Sequence, residues 1–265
     1  MNTNEAIAGQ VSKPAAVIYE EFFVPALFGP WAKPLCQAAD ILYGQSVLDV
    51  ACGTGATTRE AANRAGHTVG LDRNVGMLTV AQTRAPGIEW VEGLAEELPF
   101  ADGSFDAVLC QFGLMFFEDK AKALREMRRV LRPGGCIALS VWGDAVNSPG
   151  YAGMITLIEE MFGSDAADAL RAPFTLGDKK RLERLLVDGG LKDATLTTVS
   201  GTARFNSIRE WTRMDVRGWT LADFIDDKGY EALVSAAEDR LGAFSGENGM
   251  VEFPAPAHIV VARPC

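Results

Sequence analysis

Short apolar runs alternate with helical stretches between Gln45 and Gly143, a pattern that predicts a parallel β-sheet wound by crossover helices. Each run is rich in Val, Ile and Leu and has the length of a buried strand. Five strands are predicted in this part of the chain, at residues 46–51, 67–72, 88–93, 105–110 and 136–142.

A helix is predicted between the fourth and fifth of these strands. Asp119 is a suitable N-cap residue, and Pro133, Gly134 and Gly135 end the helical pattern. The apolar residues between these limits recur at helical spacing and predict a buried face that consists of Ala121, Leu124, Met127, Val130 and Leu131.

The chain on either side of this region is mostly helical in pattern. Asp178 begins a further predicted helix, and Ser207 with Glu210 has the spacing of a capping box. A sixth strand is predicted near residues 191–200, and a seventh near residues 257–263.

The chain contains no internal repeat and no linker rich in Pro or Ser, so we expect a single domain over residues 1–265. The predicted fold class is α/β, with a Rossmann-like, seven-stranded, mostly parallel sheet, helices on both faces and a helical cap. The core is predicted at about residues 45–145 together with the last two strands, and the cap at residues 1–44, 147–190 and 207–245.

A glycine-rich turn follows the first strand, where Gly53-Thr54-Gly55 leads directly into helical sequence. A turn of this kind at a helix N-terminus inside a βαβ unit holds a nucleotide. The next strand ends in Asp72, 23 residues after Asp49, where a carboxylate would bind a ribose diol. NAD, FAD and S-adenosylmethionine sites all share this pattern.

Asp49 distinguishes among these ligands because its carboxylate lies at the mouth of the turn. At about 4–5 Å it would repel a phosphate by a few kcal/mol and attract an ammonium or sulfonium group equally strongly. A cationic nucleoside is therefore favoured. The alternatives are a tight turn without a ligand, in which Asp49 caps the next helix, and a nicotinamide oxidoreductase, which would require a third glycine near Thr58 and no acid at Asp49.

Four segments resemble the ordered motifs of the class I S-adenosylmethionine-dependent methyltransferases, in particular the small-molecule group similar to the ubiquinone and menaquinone C-methyltransferases. The segments are VLDVACGTG, GLDRNVGML, ELPFADGSFDAVLCQFGLMFF and LREMRRVLRPGG, within about residues 40–145. The resemblance implies S-adenosylmethionine as the cofactor and methyl transfer to a carbon, oxygen or nitrogen atom of a small, largely apolar or aromatic metabolite. A nonenzymatic module that binds the cofactor remains the alternative.

The resemblance also implies roles for individual residues. Where the family has Gly-Asp-Ala beside the adenine, this sequence reads Gly93-Leu94-Ala95, so the adenine amine must find another acceptor, such as Glu96. The predicted cofactor-binding residues are Asp49, Ala51, Gly53, Thr54 and Gly55 near the methionine part, Asp72 at the ribose, Arg73, Met77, Leu94 and Ala95 at the adenine, and Gln111 and Phe112 near the methionine chain.

The acceptor site is predicted from aromatic residues of the cap and of the strand ends. These are Tyr19, Phe23, Trp31, Phe116 and Trp142. The sequence identifies no catalytic residue. Many relatives have histidines just after the fourth strand, where this chain has Met115-Phe116-Phe117, and we expect His258 to be structural.

The composition of the chain limits the classes of partner that it can be expected to bind. The chain has 25 Lys and Arg against 35 Asp and Glu, a net charge of −10, which disfavours binding to nucleic acid. No apolar run approaches the ~18 residues of a membrane span, and the sequence begins without a secretory signal, so we expect a cytoplasmic location. Five scattered cysteines and two histidines predict neither a disulfide framework nor a metal site, and the sequence gives no oligomeric state.

Overall fold

A seven-stranded sheet is the central feature of the computed structural model, which describes residues 13–217, 221 and 224–264. The strands in chain order are β1 (Ser46–Val50), β2 (His67–Asp72), β3 (Glu89–Glu92), β4 (Phe105–Gln111), β5 (Leu131–Trp142), β6 (Thr195–Val199), β7 (Thr202–Phe205), β8 (Val251–Pro254) and β9 (Ala257–Ala262). The order across the sheet is β3-β2-β1-β4-β5-β9-β6. Only β9 runs in the direction opposite to the other six strands, so the predicted fold class is confirmed.

The helices connect these strands and precede β1. In chain order they are α1 (Lys13–Ile18), a π-helical segment (Tyr19–Phe28), α2 (Gly29–Ala38), α3 (Ala56–Ala62), α4 (Val75–Arg84), α5 (Lys120–Val130), α6 (Pro149–Phe162), α7 (Ser164–Arg171), α8 (Lys179–Asp188), α9 (Ile208–Arg217) and α10 (Asp227–Leu241). Short 3₁₀ turns occupy Leu114–Phe116, Ala145–Asn147, Ala172–Phe174 and Gly242–Phe244. Residues 1–12, 218–220, 222 and 223 of the predicted cap lie outside the described residues.

The predicted helix caps are present. Asp119 accepts a hydrogen bond from the backbone N–H of Lys122 at 2.8 Å, and Asp178 accepts one from that of Arg181 at 2.7 Å. At α9 the Ser207 hydroxyl accepts from the backbone N–H of Glu210, but the Glu210 carboxylate binds the Asn206 side chain instead of completing the capping box. These side chains fix where each helix begins.

The predicted buried face of α5 needs two corrections. Leu131 lies outside the helix and pairs with Phe105 as the first residue of β5, because the chain turns to extended backbone shortly before Pro133. Ala121 is only half-buried, whereas Ala123 is fully buried and takes its place on the helix face. The strand predicted at residues 136–142 therefore begins five residues earlier.

The sequence pattern did not predict the small antiparallel sheet that β7 forms with β8. These strands are four residues each and are separated by α9, α10 and the 3₁₀ turn Gly242–Phe244. Such a pairing depends on tertiary contacts, which the local periodicity of the sequence does not reveal.

The helices of the predicted cap pack in two different places. Helix α8 contacts α5, and the glycine that follows it, Gly189, lies so close to Leu124 that an added Cβ would be 2.5 Å from the leucine Cβ. It therefore flanks the sheet. In contrast, α6 contacts α7 and α10, while α9 contacts α10 and the π-helical segment. Across the described ranges, no helix combines the length and apolar character that crossing a membrane requires.

Candidate functional site

Two cavities and a connecting recess lie where β1, β2, β4 and β5 end. The chain crosses to opposite sides of β1 to reach β2 and β4, and such a reversal of strand order opens a crevice at the carboxyl ends of parallel strands. The largest of the three, here called the cradle cavity, encloses about 780 Å³. Its lining residues are Tyr19, Ala51, Gly53, Leu71, Asp72, Arg73, Asn74, Met77, Gly93, Ala95, Glu96, Gln111, Phe112, Gly113, Phe116 and Phe117.

Left-handed backbone shapes the floor of the cradle cavity. Ala51 has φ +56°, Gly53 +57° and Phe112 +53°, at the turns that follow β1 and β4. Positive φ is uncommon for residues other than glycine and is held there only by the surrounding structure. Gly113 has a steric role as well, because a Cβ at this position would lie 2.6 Å from the Cβ of Ala51. The two turns therefore pack closely against each other.

Gly55 serves the turn rather than the cavity. It has φ +85°, and an added Cβ would lie 2.2 Å from Cη2 of Trp90. The Cβ position of Gly55 faces the Trp90 ring, and Gly55 does not line the cradle cavity. The glycine requirement predicted from the motif is thus present, but close packing of an indole accounts for it.

Asp72 is held rigidly at the end of β2. Its Oδ2 accepts the backbone N–H of Gly53 and its Oδ1 that of Asn74, both at 2.8 Å. Burial raises the pKa of Asp72, and these two hydrogen bonds act in the opposite direction. The Asn74 side chain then caps α4 by accepting the N–H of Met77. The carboxylate is therefore oriented by the turns on both sides of it.

Asp49 lies deeper, at the end of β1, and is 1% exposed. Its Oδ2 accepts a hydrogen bond from the Thr58 hydroxyl at 2.6 Å. Burial raises the pKa of this carboxyl to about 7, the charge of Asp72 adds to the shift, and the Thr58 hydrogen bond opposes it. A buried acid that titrates near neutrality favours a cationic ligand, which would stabilise its ionised form.

Asp49 lines a smaller space of about 290 Å³, here called the inner recess, together with Tyr19, Phe28, Ala51, Cys52, Thr54, Ala56, Thr57 and Gln111. Thr54 Oγ1 and Gln111 Oε1 are buried and have no hydrogen-bond partner among the described residues. The Gln111 amide is oriented by its Nε2, which donates to the carbonyl of Phe28 at 3.1 Å. Buried polar atoms normally have partners, so this recess is suited to a polar ligand.

The π-helical segment closes the inner recess from the N-terminal side. Tyr19 lines both the recess and the cradle cavity. The adjacent Glu20 forms an ion pair with Arg59 at 2.9 Å, and Arg59 also donates to the carbonyl of Thr54 at 2.7 Å. The segment is thereby anchored to the glycine turn, and π-helical geometry is often found at functional sites.

The predicted adenine end is only partly assembled. Arg73, Met77 and Ala95 line the cradle cavity, whereas Leu94 is 45% exposed and lies outside it. Glu96, which the sequence suggests only as an acceptor for the adenine amine, lines the cradle cavity. Sequence reasoning did not identify five further lining residues, which adjoin predicted ones in the same strand ends and loops: Leu71, Asn74, Gly93, Gly113 and Phe117.

A second cavity of about 450 Å³, here called the apolar cavity, lies beneath the cap. Its lining residues are Phe23, Leu27, Phe28, Trp142, Tyr151, Leu170, Pro173, Phe174, Asp215 and Ala255. Of the predicted acceptor residues, Phe23 and Trp142 line it. Tyr19 and Phe116 line the cradle cavity instead. Trp31 is buried behind both, with its ring edge-on to Trp142 at 6.1 Å.

An aromatic wall separates the two cavities. The rings of Phe112, from the cradle cavity, and Trp142, from the apolar cavity, stack 4.0 Å apart with an interplanar angle of 10°. Phe28 packs against both, at centroid distances of 5.7 and 5.9 Å, and lines both the apolar cavity and the inner recess. One layer of rings therefore divides the polar space from the apolar one.

Sequence reasoning missed Asp215, a carboxylic acid in the wall of the apolar cavity. The signal was available, because Asp215 follows Ile208, Trp211 and Thr212 at the spacing of one helix face, where an apolar residue is expected. In contrast, His258 is fully engaged: its Nδ1 lies 3.0 Å from Thr198 Oγ1 and its Nε2 lies 2.8 Å from the carbonyl of Gly177. The expected structural role of this histidine agrees with that geometry.

Comparisons with known proteins agree with the architecture of the site. The sequence profile of a methyltransferase domain matches residues 48–139. A demethylmenaquinone methyltransferase of Staphylococcus carnosus is 31% identical over 187 residues, which cover 64% of this chain and 78% of that protein. The chain belongs to the class I S-adenosylmethionine-dependent methyltransferases.

Other known proteins match over shorter stretches or in fold alone. A demethylmenaquinone methyltransferase of Renibacterium salmoninarum is 41% identical over 119 residues, 45% of this chain and 50% of that protein. The chain thus spans about half the length of such curated relatives. The Haemonchus contortus phosphoethanolamine N-methyltransferase 2, solved in complex with S-adenosyl-L-methionine, superposes with a TM-score of 0.62 at 19% identity, covering 96% of this chain and 58% of that one. This last likeness shows the fold.

Proposed function

We propose that this chain binds S-adenosylmethionine in the cradle cavity and inner recess, and catalyses transfer of its methyl group to a small, largely apolar or aromatic molecule. The observation that carries the proposal is the pairing of two buried carboxylates around one glycine turn. Asp72 is rigidly oriented, as binding a ribose diol requires, and Asp49 is poised to ionise beside a cation.

The residues present fit this cofactor. The unpartnered Thr54 Oγ1 and Gln111 Oε1 lie in the inner recess with Asp49, where an amino acid group could satisfy them. Arg73, Met77 and Ala95 line the cradle cavity, where a flexible Met side chain suits the face of a base. Glu96, in the same lining, is our candidate acceptor for the adenine amine in place of the acid that the family has at Leu94.

The chemistry supplied by the cofactor is an electrophilic methyl group on a sulfonium. The protein then contributes mainly alignment and a dry site. Tyr19 and the rest of the π-helical segment cover the inner recess, and the Glu20–Arg59 ion pair keeps this cover in place. Phe28, Phe112 and Trp142 provide an apolar surface at which water is excluded from the acceptor.

The nature of the acceptor follows from charge and cavity lining. Relatives named demethylmenaquinone methyltransferases support an aromatic acceptor, as does the apolar cavity next to the cofactor site. A nucleic-acid acceptor is disfavoured by the net charge of −10. The conclusion is a small-molecule methyltransferase; the nicotinamide oxidoreductase alternative conflicts with the position of Asp49.

The test is transfer of label from S-[methyl-³H]adenosylmethionine to phenolic and quinol compounds, with formation of S-adenosylhomocysteine as a second readout. We expect labelled product with the natural chain. Asp72→Ala should abolish both cofactor binding and transfer, while Asp165→Asn, at an exposed position on α7, should change neither. Cofactor binding without turnover of any acceptor would favour the nonenzymatic alternative.

A further inference from the structure

The apolar cavity carries a second, independent clue to function. Of its described lining residues, only Trp142, Tyr151 and Asp215 have polar side-chain atoms, and the remainder of the wall is aromatic or aliphatic. Asp215 is 3% exposed, on α9. A mainly aromatic and aliphatic wall with a few polar groups is typical of a site for a small organic molecule.

One oxygen of the Asp215 carboxyl, the buried Oδ2, lacks a hydrogen-bond partner in the described part of the chain. The neighbouring Trp211 Nε1 likewise has no hydrogen-bond partner there. An unsatisfied buried carboxyl destabilises a fold, whereas a leucine on the same helix face would not. A partner outside the chain would satisfy this oxygen.

Burial favours the neutral form of this carboxyl. Burial raises the pKa of Asp215 well above its usual range, and the indole N–H of Trp211, a potential donor to the carboxyl that does not reach hydrogen-bond geometry, offsets the shift only in part. Tyr151, from α6, is the other titratable group among the described lining residues, and burial raises the pKa of its hydroxyl as well. The π-helical segment, β5, α7 and the turn Ala172–Phe174 contribute no titratable side chain to the described lining of the cavity. A neutral carboxyl can both donate and accept a hydrogen bond.

The cavity lies next to the cofactor site. Phe28 lines both the apolar cavity and the inner recess that contains Asp49. Trp142 lines the apolar cavity and stacks on Phe112 of the cradle cavity. A molecule in the apolar cavity is therefore one aromatic side chain away from the inner recess, and movement of Phe28 would join the two spaces.

We propose that the apolar cavity is the acceptor site and that Asp215 recognises a hydroxyl or N–H group on an otherwise apolar acceptor. That the bound molecule accepts a methyl group rests on the proposed function, whereas binding of a small molecule in this cavity does not. Asp215 is thus a specificity-determining residue that selects a ring bearing one hydrogen-bond donor over the same ring without it, because only the former satisfies the buried Oδ2.

The experiment titrates the full chain calorimetrically at pH 7 with 4-propylphenol and with propylbenzene. An apolar cavity alone favours propylbenzene, since water solvates the phenol better. We expect Asp215→Leu to shift the ratio of the two dissociation constants about tenfold towards propylbenzene, the value of one hydrogen bond. Asp215→Asn, whose amide oxygen accepts the phenolic O–H, should retain much of the preference of the natural chain.

Leu170→Ala is the matched control, because it enlarges the cavity without touching the carboxyl. Both probes should then weaken together, with an unchanged ratio. An unchanged ratio in Asp215→Leu would overturn the proposal. Loss of folding or a lower melting temperature in Asp215→Leu would do so as well, because it would make Asp215 a structural residue.

Titration of the same variants with S-adenosylmethionine separates this proposal from the proposed function. Binding of the cofactor should be equal in the natural chain, Asp215→Leu and Leu170→Ala. If the phenol preference depends on Asp215 but the cofactor fails to bind, the proposed function fails and the recognition site stands. If the cofactor binds and the preference is absent, the reverse holds.

Discussion

At the scale of single residues, the two carboxylates of the glycine turn differ in environment although both are buried. Asp72 accepts two backbone N–H groups, while Asp49 has one hydroxyl partner and a pKa raised to about 7. With a pKa of about 7, Asp49 is close to half ionised at neutral pH before a ligand binds. A cationic ligand would draw off the remaining proton, so ligand binding and ionisation of Asp49 are linked.

The first prediction concerns the pH dependence of cofactor binding. Because S-adenosylmethionine should favour ionised Asp49, its affinity should fall as the pH drops below about 7, approaching tenfold per pH unit. Asp49→Asn should bind more weakly at pH 7.5 by about 10-fold or more and lose this dependence between pH 5.5 and 7.5. Calorimetric titration measures both, with Asp165→Asn as the control; a natural chain with flat affinity over this range contradicts the assignment.

The same residue sets a stability trend of known sign. A carboxyl whose folded pKa of about 7 exceeds its unfolded value makes the folded state bind more protons between pH 4 and 7, so stability decreases as the pH rises through this window. In the absence of ligand, Asp49→Asn should thus be more stable than the natural chain at pH 8, by about 1–3 kcal/mol, and gain little at pH 5. Urea unfolding at the two pH values tests this; equal differences at both would exclude Asp49 as the cause.

At the scale of elements, the turn between β1 and α3 is fixed by backbone conformation and by an indole. Gly55 combines φ +85° with the Trp90 ring at a distance that excludes a Cβ. Gly44 has a similar φ of +87° and no heavy atom within 4 Å of the Cβ position. A comparison of alanine variants at Gly44 and Gly55 therefore separates the cost of backbone strain from the cost of steric overlap with Trp90.

We expect Gly44→Ala to cost about 1–2 kcal/mol, the strain of a left-handed residue. Gly55→Ala should cost this amount plus about 1–3 kcal/mol for overpacking against Trp90. Chemical denaturation of both variants measures the difference, and Gly55→Ala combined with Trp90→Ala should lose less than the sum of the single changes. Equal losses in the two glycine variants would show that Trp90 is not the constraint.

The elements that could be predicted from the sequence are those with local signals. The strands of the βαβ units, the Asp119 and Asp178 caps and the glycine turn each depend on residues within a few positions of one another. The β7–β8 pair and the packing of α8 against α5 depend on contacts between distant segments. Most side chains that line the cradle cavity follow the strands of the βαβ units and can therefore be located from local signals. The division of the aromatic residues between two cavities depends on contacts between distant segments and cannot.

At the scale of the whole molecule, three parts of the chain meet at the site. The sheet supplies the carboxylates, the π-helical segment covers the inner recess, and α6, α7 and α9 enclose the apolar cavity. The position of Asp215 on a helix face can be predicted from the sequence, but the cavity that it lines is formed by seven segments of the chain. A ligand that bridges these parts should stabilise the fold as a whole.

We expect S-adenosylmethionine and S-adenosylhomocysteine each to raise the melting temperature. At a concentration 100 times the dissociation constant, binding adds about 2.7 kcal/mol, which corresponds to roughly 5–10 °C for a chain of this size. Differential scanning calorimetry measures the shift, and Asp72→Ala, which should not bind, is the control. A shift of the same size in Asp72→Ala would place the ligand elsewhere.

The central claim is that the glycine turn beside Asp49 binds a cationic nucleoside. Its most direct test compares the binding of two ligands whose sites share the glycine-turn pattern. The purified chain is titrated calorimetrically with S-adenosylmethionine and with NAD at pH 7.5. Because Asp49 attracts a cation and repels a phosphate, we predict binding of S-adenosylmethionine and no measurable binding of NAD. Tighter binding of NAD, or no binding of S-adenosylmethionine by the folded chain, would contradict the account of this site.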